Sequence, residues 1–76
     1  MTKAIDYNAL QTLITAQAIR ETRCNRLQGG YGLSVRLGLA WHPVRSKREP
    51  VHVFPTLTAV GKFCDKVGIK SLSVEL

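Results

Sequence analysis

From Tyr31 to Trp41 the chain alternates without a break. Tyr31, Leu33, Val35, Leu37, Leu39 and Trp41 fall on one face, and Gly32, Ser34, Arg36, Gly38 and Ala40 on the other. A period of two is the signature of a strand with one face in the core. The spacing predicts a long strand over these residues, with a flat second face from which a single arginine, Arg36, stands out.

Ahead of it the period is helical. Ala9, Leu10, Leu13, Ile14 and Ala18 recur along one face joined by Tyr7, and Asp6 or Thr2 supplies a capping oxygen. Carried on to Arg26, this helix would bury Glu21 unpaired, which is costly. The reading adopted therefore ends it near Ala18 or Ile19. It makes Arg20–Leu27 a polar edge strand, with Thr22 and Cys24 on one side and Glu21, Arg23 and Asn25 on the other. The longer helix is the alternative. Gly29-Gly30 then reads as a two-residue hairpin turn, because such turns need positive φ.

Beyond Trp41, Pro43 and Pro50 bracket a segment that contains Arg45, Lys47, Arg48 and Glu49. Proline donates no ladder hydrogen bond, so the chain is expected to leave the sheet here. It should return as a strand at Val51-His52-Val53-Phe54, making the charged segment a hairpin tip. Pro55 and Thr56 open a second helix whose apolar face is Leu57, Val60, Phe63, Cys64 and Val67. Gly68 closes it in the left-handed conformation, with Ile69 packing back. A last strand from Ser71 to Leu76 turns Leu72, Val74 and Leu76 inward.

The expected fold is α+β: an N-terminal helix, a three-stranded antiparallel meander, a second helix and a short C-terminal strand, in two layers over residues 1–76 as a single domain. Leu33, Val35, Leu37, Val53, Leu57, Val60 and Phe63 are expected to share the core.

Composition narrows the function. The mix of 45% apolar and 21% charged residues is that of an ordinary globular chain. Seventy-six residues bury only roughly 60% of the unfolded surface, which leaves little for a deep substrate pocket. No apolar run spans a bilayer, and the first residues lack a signal-peptide layout, so a cytoplasmic protein without a membrane partner is expected. Cys24 and Cys64 read as two buried thiols, and without a CxxC motif no zinc site is expected.

The charge is the informative quantity. Net charge is +6, and between Arg20 and Arg48 seven bases face one acid, Glu21. A field of this sign attracts nucleic acid. Arg45, Lys47 and Arg48 are the candidate phosphate contacts, since arginine offers a bidentate fork to phosphate or guanine. Arg36 extends the basic surface over the bare sheet face. The same charged loop also has a plain role, keeping the sheet from pairing with others. His42 and His52 flank the loop without a third ligand or nucleophile, the GGYG run is a turn rather than a phosphate loop, and Trp41 belongs to the core face.

The helix–three strands–helix order is similar to that of double-stranded-RNA-binding domains. Those domains open their last helix with lysines, where this chain has Pro55-Thr56-Leu57-Thr58, so the likeness is one of topology. Over roughly residues 17–75 the chain also resembles small plasmid-encoded accessory proteins of the ParC-like, partition-associated kind. The resemblance rests on the Gln28–Tyr31 turn, Val35-Arg36-Leu37-Gly38, the proline- and base-containing loop, Val51-x-Val53-Phe54, Gly68-Ile69 and the final alternating strand. It implies plasmid maintenance beside a larger plasmid-encoded protein. The sequence thus favours a small non-enzymatic DNA-binding protein without a cofactor, a homodimer in its assembly. The alternative is a protein-interaction module that pairs through a sheet edge or the C-terminal strand.

Overall fold

The structure is a computed structural model that describes residues 3–47 and 49–75. Thr2, Arg48 and Leu76, each given a role above, lie outside them. Helix α1 covers Tyr7–Thr15. Asp6 caps it, its Oδ1 accepting from the Ala9 amide at 2.8 Å. The helix stops earlier than expected because Gln17 turns left-handed, φ 56°. Its amide donates to the Ile14 carbonyl and that of Ala18 to the Leu13 carbonyl, both at 3.0 Å. These two bonds satisfy carbonyls that the helix end leaves open, as in a Schellman closure.

Four strands follow: β1 (Glu21–Leu27), β2 (Gly30–Leu37), β3 (Ala40–Pro43) and, after helix α2 (Leu57–Val67), β4 (Ser73–Glu75). The architecture is α+β, with sheet order β3-β2-β1-β4. The β1–β2 and β2–β3 pairs are antiparallel, while β4 lies parallel to β1. The sheet is therefore mixed, and β1 is an interior strand rather than an edge. Parallel neighbours need a long crossover, which the segment containing α2 provides.

The expected long strand is broken. Gly38, φ 63°, turns the chain, Leu37 pairs with Ala40, and Leu39 at the tip is 97% exposed. A two-residue turn joins positions of opposite parity, so Trp41 pairs with Arg36 and leaves the core face. The first hairpin turn is likewise Gln28-Gly29, since Leu27 pairs with Gly30.

The core lies between the helices and the sheet face that carries Thr22, Cys24, Leu33 and Val35. Leu10, Val60, Cys64 and Val67 enter it from the helices, and Ile5, Val44 and Phe54 close its side. Leu37 and Phe63 are half-buried against it. Leu57, expected inside, is 41% exposed, and Val53 is only half-buried. Thr56 caps α2, and Gly68 ends it left-handed at φ 94°, as expected. Leu72 packs against the core, but Val74 is 47% exposed.

Candidate nucleic-acid interface

The charged loop is an excursion from the sheet edge rather than a hairpin tip. At its start the Val44 amide donates to the Leu33 carbonyl at 2.9 Å. At its end Phe54 exchanges two backbone hydrogen bonds with Tyr31, at 2.7 and 2.8 Å. Both ends are thus bound to β2 two positions apart. Of the expected strand over residues 51–54, only Phe54 rejoins the sheet.

Glycine permits this close return. A Cβ at Gly30 would collide with the Phe54 carbonyl, and one at Gly32 would run into Leu27 Cδ1. The Gly32 end of the expected bare face is therefore covered by Leu27 and Val51, while Gly38 stays open.

The neck of the loop is held from three directions. The His52 amide donates to the Val44 carbonyl at 2.9 Å, the Arg45 amide to the Ile5 carbonyl at 2.9 Å, and the Ile5 amide to the Pro43 carbonyl at 2.8 Å. Further out, the Ser46 amide donates to the Glu49 carbonyl at 3.2 Å, and the Glu49 amide to the Ser46 hydroxyl at 3.0 Å. A fixed neck and a closed turn give the exposed Lys47 a defined place without burying it.

The candidate residues separate into two groups. Arg36 stands on the outer sheet face as expected, but it is engaged. Its Nε and Nη2 donate to Glu21 Oε1 at 3.1 and 2.6 Å, and its Nη1 donates to the Gly38 carbonyl. On the same face Arg23 lies 3.5 Å from a Glu75 oxygen and 4.1 Å above the Trp41 ring centre. On this face Arg23 and Arg36 are paired across strands, Arg23 being stacked as well, and their field is largely offset. Arg45 and Lys47 have no carboxylate within ion-pairing distance among the described residues.

Arg45 and Lys47 line one groove of about 670 Å³, with Tyr7 at the start of α1, His52 at the loop's return and Phe63 on α2. Tyr7 meets Phe63 edge to face at 5.8 Å. His52 lies flat on Phe54, 4.1 Å apart and 7° from parallel. Lys66 Nζ is 6.0 Å from the Tyr7 ring centre. Asp6 also borders the groove, with its Oδ1 in the α1 cap. Arg36 has no part in this groove.

Sequence reasoning missed the three rings. Tyr7 read as a core residue of α1, yet it sits at the margin and is 39% exposed. A usable signal was the pair His52 and Phe54 directly after the basic loop. His42, by contrast, points to structure: its Nδ1 donates to the Lys3 carbonyl at 2.8 Å, since a carbonyl only accepts.

Both cysteines are free and buried. Burial raises the Cys24 thiol pKa; burial, then Cys24 and Asp65, raises that of Cys64. The uncharged thiol is the favoured form of each, which suits packing rather than nucleophilic attack. Among the described residues, no three His, Cys, Asp or Glu side chains gather to hold a metal ion, and no helix is long and apolar enough to cross a membrane. No family model, curated protein or solved structure matches the chain.

Proposed function

We propose that the chain is a small non-enzymatic nucleic-acid-binding protein, with DNA the favoured partner, that holds backbone phosphates on the loop of Arg45, Lys47 and Arg48. One observation carries this reading: on a neck fixed by hydrogen bonds, Arg45 and Lys47 have no carboxylate partner among the described residues, while Arg23 and Arg36 are engaged with Glu75 and Glu21. A free cation releases condensed counterions when it meets a phosphate, and this release supplies most sequence-independent affinity. Arg36 becomes an auxiliary contact only if phosphate displaces Glu21. Such a protein suits an accessory role in cytoplasmic plasmid maintenance, as the ParC-like resemblance implies.

The test is a salt titration of wild type and an Arg45→Ala/Lys47→Ala/Arg48→Ala variant on duplex DNA. The slope of log affinity against log salt should shrink by roughly 0.9 per lost phosphate contact, about 2–3 for the set. Folding should be nearly unchanged, because exposed substitutions usually stay within about 0.5 kcal/mol each. An unchanged affinity and slope would return the loop to a solvated surface feature.

A second reading rests on β4. This three-residue strand pairs with β1 on one side and leaves its other edge unpaired among the described residues, with Val74 exposed. That edge suits strand addition by a partner protein or a second copy in a homodimer. Association of this kind depends weakly on salt, which separates it from phosphate binding.

A further inference from the structure

We infer that the groove between α1, the loop and α2 takes an unpaired base, so that the nucleic acid bound is single-stranded. This deepens the nucleic-acid reading and rests on it. The groove joins two chemistries that one ligand class satisfies together. Arg45, its Nε donating to the Ser46 carbonyl at 3.3 Å, and Lys47 have no carboxylate partner among the described residues, and Tyr7, His52 and Phe63 bring flat rings to the same walls. Its volume, about 670 Å³, lies within the roughly 300–1,000 Å³ of small-ligand sites.

The rings are held in place by their neighbours. Phe54 stacks on one face of His52 and Phe63 meets it edge to face at 6.1 Å, so the imidazole lines the groove with its plane set. Tyr7 is braced edge-on by Phe63 and stays partly exposed. Rings fixed in this way stack bases with little loss of side-chain freedom, and base–aromatic stacking tolerates any sequence. A duplex keeps its bases inside its own stack and cannot use them. Asp6 places the phosphates: its carboxylate opposes an anion at the start of α1, so the backbone runs along Arg45 and Lys47 instead.

Fluorescence anisotropy on three labelled probes tests this: oligo-dT and oligo-rU, each about 12 nucleotides, a length within the range of single-strand sites, and a mixed-sequence duplex of the same length. Wild type should bind a single strand about tenfold or more tightly than the duplex, and either sugar satisfies the proposal. Tyr7→Ala should weaken single-strand binding by about five- to hundredfold, the range for one lost stack, while duplex binding stays within about twofold. Tyr7→Phe should restore it. If Tyr7→Ala does not fold by circular dichroism, Tyr7→Leu keeps apolar bulk without a flat ring and should show the same loss. Asp6→Asn, which preserves a capping oxygen, should tighten binding. Lys70→Ala, after α2 and away from the groove in a hollow shared with Ile14 and Gln17, controls for net charge and should lower affinity for all probes alike. Duplex binding equal to or tighter than single-strand binding, with Tyr7→Ala silent on the single strands, overturns the groove and leaves the loop's phosphate contacts standing. No binding of any probe by wild type at low salt overturns both.

Discussion

The outer sheet face and the loop groove both carry arginine, yet they differ in what the arginine meets. On the sheet, Glu21 lies across from Arg36 in the β1–β2 register, and Asn25, two residues from Arg23, pairs with Glu75 of β4. Strand pairing itself brings acid and base together there. In the loop groove the neighbours are rings, backbone and the capping Asp6, and Arg45 and Lys47 have no carboxylate within ion-pairing distance among the described residues. A net charge of +6 is a property of the chain, whereas binding depends on which cations lack a partner. The same residue type therefore stiffens one region and equips the other.

The largest effect expected is at the joint between the two regions. Phe54 is buried, pairs with Tyr31 where the loop rejoins β2, and supports His52. Phe54→Ala should cost about 3–5 kcal/mol, the usual range for emptying a buried aromatic site. For a domain this small that approaches the whole stability. Urea denaturation measures it. A loss below about 1 kcal/mol would show that the loop is not anchored to the core, and the contrast between a fixed neck and a free tip would fail.

Next in size is an alkaline effect that belongs to the core beneath both regions. The folded state raises both thiol pKa values, so it holds its protons more tightly than the unfolded chain. Stability is fully present below the unfolded thiol pKa, roughly 8.5, and is lost as pH rises from there through the raised folded values. Thermal melts from pH 7 to pH 10 should fall, and Cys64→Ala should flatten the decline. A melting temperature equally pH-dependent in that variant would place the alkaline sensitivity elsewhere.

Much of the fold was legible where local chemistry acted alone. Asp6 as cap, Gly68 as left-handed stop, and Thr22 with Cys24 on the inner side of β1 each follow from one residue's own preference. Misreadings came where tertiary geometry reset a pattern. Alternation ran unbroken through Leu37, Leu39 and Trp41, but a two-residue turn at Gly38 reversed the parity and sent Trp41 to the outer face. The parallel placement of β4 was invisible because nothing in Ser73–Glu75 states which side of the sheet it joins. At the site, Arg45 and Lys47 stood out as charge. The pairing of Arg36 required the register, and the three rings required knowing that α1 and α2 meet beside the loop.

A smaller effect separates the regions directly. Arg36→Ala should cost less than about 1 kcal/mol, as expected for an exposed ion pair, and leave the salt slope of nucleic-acid binding unchanged. Arg45→Ala alone should do the reverse, with a slope lower by roughly 0.7–0.9 and little change in stability. If both variants lowered the slope equally, Arg36 would be a phosphate contact despite Glu21, and the distinction between engaged and free cations would not govern binding.

The smallest effect is the sharpest test of that distinction, because it converts one region into the other. Glu21→Gln removes the carboxylate charge while keeping an oxygen that can still accept from Arg36. Stability should change by no more than about 1 kcal/mol, since exposed pairs gain little. Arg36 then carries its charge without offset, on a face shared with Arg23. If lack of a carboxylate partner is what makes a cation useful, the salt slope should steepen by up to about 0.7–0.9, the increment of one added phosphate contact. The gain should disappear when Arg36→Ala is added, because only the released arginine produces it. That double variant carries the wild-type net charge, so its control is Glu21→Gln/Lys70→Ala, equal to it in charge, which should keep the gain if Arg36 is its source and lose it if only net charge counts. Equal loss of the steepening in the two double variants would assign the effect to overall field, and no steepening at all in Glu21→Gln would show that the sheet face is closed to nucleic acid by its shape rather than by Glu21.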